Sequence, residues 1–176
     1  MYRAIQMHVR GLREDKLPIP KPTASAEYVA FVWTGCMSEK NYAHRDVTDK
    51  LDLKLGHSLR IVGKGDKALL ARVREKTGRK MVSDGTLADV ILYWPKTVEE
   101  ITPTLTELRA TIVQNGGIWV MTAKKGRKSA SGMEYLNQTD LIPLGLAAGL
   151  VDNKTCSVSE SESGMRFVIR KKDRRK

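Results

Sequence analysis

The chain is poor in the residues that staple small domains or hold metals. It has two cysteines, Cys36 and Cys156, in 176 residues. Two thiols cannot build a disulfide framework, and the pair fits a reducing cytoplasm. Three histidines, His8, His44 and His57, show no ligand spacing to one another or to the cysteines, so no structural zinc site is expected. No apolar run reaches the length of a membrane-spanning helix. A Ser-His-Asp set, paired carboxylates and a P-loop are all missing, which leaves no ready-made catalytic centre. Acids are in the minority, 20 against 31 basic residues, for a net charge of +11. Such an excess suits an anionic partner, or serves solubility alone. The length fits one domain with a full core.

The N-terminal stretch reads as foreign to that domain. Pro18, Pro20 and Pro22 break any helix and favour extended chain. The apolar run Tyr28 to Trp33 is too short for a signal sequence. Trp33-Thr34-Gly35-Cys36 has a faint likeness to a lipoprotein cleavage site, with an ill-fitting Trp and a basic region cut off by the prolines. Met37 is followed at once by a helical opening, Ser-Glu-Lys, and reads as the natural start. The expectation is an extension over 1–37, disordered or non-native, a domain over 38–170 and a basic tail over 171–176.

Within the domain, His44 to Lys54 reads as a short helix. Ser58 to Val62 is an apolar strand running into the turn Gly63-Lys64-Gly65-Asp66, with Asp66 capping a helix to Lys76 and Gly78 ending it. Lys80 to Ser83 is a weak short strand, followed by the turn Asp84-Gly85. Ala88 to Trp94 is the clearest strand, nearly all apolar as a parallel strand covered on both faces would be. Thr97 and Glu100 form a capping box for a helix carrying Val98, Ile101, Leu105, Leu108 and Ile112, kinked or restarted at Pro103 and ended by Gly116-Gly117. A strand Ile118 to Thr122 leads into a basic loop, Lys124 to Gly132. Thr139-Asp140 caps a further helix with Pro143 in its first turn. Strands over 153–159 and 164–170 close the domain as an antiparallel hairpin, with Met165, Phe167 and Ile169 facing inward. The fold class is α/β: a Rossmann-like, mostly parallel sheet with a C-terminal hairpin.

This order of elements resembles the class I methyltransferases. More closely, residues 42–170 resemble a bacterial family of small methyltransferase-like domains of unknown function. The likeness rests on His44-Arg45, Ala88-Asp89-Val90, Trp119-Val120 and Lys124-Lys125. Most specific are Gly149-Leu150-Val151-Asp152-Asn153-Lys154 with Cys156, then Ser163-Gly164 and Arg166-Phe167-Val168. The chain departs where the family tends to have Trp-Pro before the paired lysines, here Thr122-Ala123, and Trp before Ser-Gly, here Glu162. The resemblance implies the methyltransferase fold and no activity of its own.

Three places are candidates for function. Gly63, Lys64, Gly65 and Asp66 form a turn whose backbone N–H groups could meet a nucleotide or S-adenosylmethionine, with Asp84 placed for a ribose hydroxyl. Against this, Ile61 stands where methyltransferases carry an acid, and Lys64 would repel a sulfonium. Tyr93, with Trp94-Pro95 after it, ends a strand where amino-methyltransferases put an Asp/Asn-Pro-Pro-aromatic motif. The acid or amide is missing here, and packing is the plain reading of both aromatics. Lys124, Lys125, Arg127 and Lys128 form a basic loop that, with the tail, could hold phosphates or nucleic acid; the plain reading is a solvated loop. Asp152-Asn153-Lys154 reads as an Asx-fixed turn from helix to strand. Cys156 reads as a small buried hydrophobe. The sum is a cytoplasmic, non-catalytic domain binding a small ligand or a partner, against two alternatives: an S-adenosylmethionine-dependent methyltransferase, or a nucleic-acid binder.

Overall fold

A computed structural model describes residues 45–174, apart from 79, 80 and 84. The expectations for residues 1–37, for Cys36, for His8 and His44, and for Asp84 lie outside the described residues.

Five strands form one sheet in the order β1-β2-β3-β5-β4. In chain order these are β1 (Leu59–Val62), β2 (Ala88–Tyr93), β3 (Ile112–Ala123), β4 (Leu150–Ser157) and β5 (Glu162–Ile169). The first three are parallel neighbours. The hairpin β4–β5 is antiparallel, and β5 slots against β3. Helices cover both faces. Side-chain alternation along β2 sends Val90, Leu92 and Trp94 to one face with α1 (Val47–Lys50) and α2 (Lys67–Lys76). It sends Ile91 and Tyr93 to the other, with α3 (Ile101–Ala110) and α4 (Gln138–Ala147). Wholly buried Leu51, Leu59, Ile101, Leu105, Ile118 and Phe167 mark the two core layers.

Local chemistry sets the element ends. The Asp66 carboxylate accepts from Leu69 N at 2.8 Å and starts α2, whose Leu69 and Val73 face the core. Thr77 caps its C-terminus, and Gly78 turns away at φ +72°. The first helix is shorter than expected, only Val47–Lys50, because Asp52 leaves helical space at φ 57°. Helix α3 does not kink at Pro103. It begins at Ile101, which makes Pro103 its third residue, where a helix has no use for the missing N–H. The expected capping box is absent, since the Glu100 carboxylate accepts from Lys96 N instead. Ile112 and the pair Gly116-Gly117 belong to β3, not to the helix. A Cβ at Gly116 would lie 2.7 Å from the Asp89 carbonyl oxygen, so that glycine allows the irregular pairing with β2. Asn137, not Thr139, caps α4, which moves Pro143 to the sixth helical position rather than the first turn.

Of the weak strand expected over 80–83, the described residues 81–83 keep a single bridge. Met81 bridges Leu59 in parallel, on the edge of β1 that β2 leaves free. By Ala88 the chain is at the start of β2, on the other side of β1. That is a span of about two strand spacings, some 9.5 Å, within easy reach of six residues. Asp89 clamps the junction, its carboxylate accepting from Ser58 N at 2.8 Å and Ser58 Oγ at 2.6 Å. The order of the chain across the sheet therefore reverses at β1.

The hairpin strands run earlier than expected, so Asp152, Asn153 and Lys154 lie within β4 rather than in a turn. Its register shifts between Asp152 and Lys154, a bulge that re-aims the Lys154 side chain. Glu162 and Ser163 likewise belong to β5, not to the connecting loop.

Candidate functional site

In an open parallel sheet, ligands bind beyond the carboxyl ends of the strands, where strand order reverses. Here that place is the gap between the turn after β1 and the segment after β2. The turn is Gly63 to Asp66, and the segment is Trp94 to Lys96. The two are in direct contact. Gly63 has φ +86°, and a Cβ there would overlap the Trp94 carbonyl oxygen. A Cβ on Gly65 would stand 2.8 Å from the Trp94 indole. Trp94 itself is wholly buried. Both glycines thus allow the turn to close on the tryptophan. Asp66 serves as the α2 cap, and Lys64 is exposed at the apex.

A second contact fixes the indole. Trp94 Nε1 donates to Glu162 Oε1 at 3.2 Å, and Ala130 N donates to the same oxygen at 2.7 Å. Glu162 is only 2% exposed. Ser131 Oγ donates to the Pro95 carbonyl at 2.5 Å, so the second half of the loop after β3 is tied across this end of the sheet. Residues Ala130, Ser131 and Glu162 were not legible as site residues. The available signal for Glu162 was parity: even positions of β5 share the Trp94 face.

Tyr93 points away from this gap, into the α3/α4 layer. Its hydroxyl donates to Glu100 at 3.3 Å. Burial, with Glu100 adding to it, pushes the phenol up to about 12. It cannot reach a ligand at the glycine turn. The predicted set of Gly63, Gly65 and Tyr93 therefore splits across the sheet.

Of the basic loop, Lys124 is engaged internally. Its Nζ donates to Ser157 Oγ at 2.8 Å and to the Ser159 carbonyl at 2.6 Å. Lys125, Arg127 and Lys128 are exposed. The basic tail lies at the opposite end. Ala123 pairs with Glu162 at the start of β5, while the tail follows Ile169 at its finish, a separation of about 24 Å along the strand. The tail is not simply solvated. Arg174 donates to the Ile169 carbonyl at 3.1 Å and to Asn115 Oδ1 at 2.9 Å.

Several signature residues converge behind Trp119. Its Nε1 donates to the Leu51 carbonyl at 3.1 Å, and Lys154 Nζ stands 5.9 Å from its ring centroid. Asp52 pairs with Lys154 at 2.8 Å and with Arg166 at 3.5 Å. This network pins the segment after α1 onto the sheet. Cys156 is half-buried beside the same layer, and burial pushes its thiol up.

A family model described as a protein of unknown function, DUF3052, matches residues 49–171. The chain belongs to that family. No curated protein matches it. Solved structures give the DUF3052 chain its fold. A methyltransferase of neocarzinostatin biosynthesis in complex with S-adenosyl-L-homocysteine is similar at a TM-score of 0.56 and 15% identity, covering 70% of this chain and 52% of that one. A methyltransferase of calicheamicin biosynthesis, SAH bound, is similar at 0.53 and 18% identity, with the same 70% and 52% coverage. A SAM-dependent methyltransferase from Aquifex aeolicus reaches 0.54 at 14% identity, covering 70% of this chain and 88% of that one. The DUF3052 chain spans about half the length of the first two. Its fold is the Rossmann-like fold of class I methyltransferases. No helix among the described residues is long and apolar enough to cross a membrane.

Proposed function

We propose that this chain is a bacterial, cytoplasmic, methyltransferase-like domain that does not transfer methyl groups and acts by binding a small ligand or a partner. One observation carries the reading. The wholly buried Trp94 indole lies against Gly65, at the point of strand reversal where a cofactor would approach the turn. Glu162 accepts its N–H and is itself held by the Ala130 N–H. Ile61 in place of an acid and Lys64 at the apex of the turn add to the misfit with S-adenosylmethionine. The turn as it stands does not suit that cofactor.

Thermal shift of the full chain with S-adenosylmethionine, and separately with S-adenosylhomocysteine, tests this. A specific ligand at one hundred times its dissociation constant stabilises a fold by about 2.7 kcal/mol, several degrees of Tm. The expected result is no shift with either compound at millimolar concentration. A saturable rise overturns the reading in favour of a methyltransferase.

A nucleic-acid reading has one observation behind it. Lys125, Arg127 and Lys128 are exposed and form no ion pair among the described residues. The distance to the tail weakens it, since a short contact takes in only one of the two basic segments. Binding of single-stranded RNA with a steep salt dependence would support it.

A further inference from the structure

The α3/α4 face of the sheet is apolar for most of its length, through Ile118, Val120, Met165 and Phe167. At the loop end of β3, β5 and β4 it changes to hydroxyls. Thr122 stands opposite Ser163, and Ser163 opposite Ser157. A cleft of about 390 Å³ opens over this end, within the size range that holds small molecules. Thr155, Ser157 and Ser163 line it together with Lys124, Lys125 and Tyr135, and no acid does.

Two features give this lining a fixed geometry. Lys124 is anchored by Ser157 Oγ and the Ser159 carbonyl. An ammonium has three donors, so one N–H remains for a ligand. Tyr135 is 47% exposed, while its backbone is held by a bridge to Ala123. A positioned cation, a neutral hydroxyl floor and an exposed aromatic face form a complementary set. A phosphate suits the first two, and a planar ring suits the third.

We propose that this cleft binds a phosphorylated small molecule bearing a planar ring, of the nucleoside monophosphate class. Its phosphate oxygens accept from Lys124, Lys125 and the Ser163 hydroxyl, and its ring stacks on Tyr135. The proposal deepens the binding reading above and rests on it. A small ligand is favoured over a polymer because the site is concave and the basic tail lies at the far end of the sheet.

The test is amide chemical shifts of the isotope-labelled full chain at constant ionic strength, titrated with adenosine monophosphate and separately with inorganic phosphate. Saturable shifts are expected at Lys124, Lys125, Tyr135, Ser157 and Ser163. The nucleotide should bind about ten-fold tighter than phosphate, through the ring. Lys125→Ala, at an exposed position, should weaken the nucleotide by about ten-fold. Tyr135→Ala should bring it to the level of phosphate. The assignment is overturned by an absence of saturable shifts at concentrations on the order of 10 mM. Shifts spread over Arg127, Lys128 and 170–174 that vanish with added salt also overturn it. So does single-stranded RNA that moves Arg127 and Lys128 more than the cleft and displaces the nucleotide. The amides of Gly63 and Gly65 report separately on S-adenosylmethionine, so failure of the cleft and failure of the closed-turn reading are distinguishable.

Discussion

Trp94 and Glu162 are 68 residues apart in sequence and joined by an indole N–H donating at 3.2 Å to a buried carboxylate. The same oxygen takes the Ala130 N–H at 2.7 Å. One side chain therefore satisfies two donors, each costing about 1–3 kcal/mol if left buried without an acceptor. Glu162→Leu should lower stability by about 3 kcal/mol, and Glu162→Gln, which keeps an acceptor oxygen, by less than half of that. Urea unfolding with an unchanged slope measures both. Equal losses would mean that the charge, not the acceptor, is what the site requires.

Trp94→Ala should cost about 3–5 kcal/mol, the range for deleting a large buried aromatic. The cavity left beside Gly65 should accept free indole, which would recover part of the loss. Melting curves of the variant with and without indole are the check. A variant that melts like the parent would remove the tryptophan from its proposed role in closing the turn.

Gly65→Ala separates a packing glycine from a ligand-binding one. With Trp94 present, the new Cβ meets the indole and should cost about 1–3 kcal/mol. In a Trp94→Ala background the cost should nearly vanish, a coupling that a double-mutant cycle resolves. A cost independent of residue 94 would place the strain in the turn itself.

Acid should loosen the α1 cap. Hydrogen bonds from the Thr48 hydroxyl and backbone N–H, with Arg72 beside them, hold the Asp46 carboxyl down to about 2, against an ordinary 3.8. A carboxyl lowered on folding contributes stability above its unfolded value, and that contribution is lost as pH falls from about 4 through 2. Asp46→Asn should flatten this stretch of the stability profile and leave the region above pH 5 parallel to the parent. The group is partly exposed, so the effect should shrink with added salt. Identical acid profiles for the two proteins would exclude it.

Much of the sheet was legible in the sequence because burial on both faces leaves few polar residues in a strand, as in Ala88 to Tyr93. The Asp66 cap and the hairpin were legible for equally local reasons. Helix ends containing proline were less so. Pro103 and Pro143 fit several start points, and only the choice of cap, Glu100 or Asn137, decides among them. The glycine turn was readable as a turn, but its neighbour was not. Whether Gly65 faces a cofactor or an indole depends on the rotamer of Trp94, and that depends on Glu162. In a run of alternating Ser and Glu, nothing local separates Glu162, buried at the start of β5, from exposed Glu160.

The last strand of the sheet, β5, is also an inner one, flanked by β3 and β4. A nascent chain emerging from the ribosome must therefore wait. Until residues 162–169 are out, β3 has one bare edge, β4 has no partner, and Trp94 lacks its acceptor. Domains that close on such distant contacts fold slowly and expose apolar surface meanwhile. Chaperone demand during synthesis should fall sharply at the moment β5 clears the exit tunnel. A stop codon just before Glu162 should leave a protease substrate rather than a shortened domain.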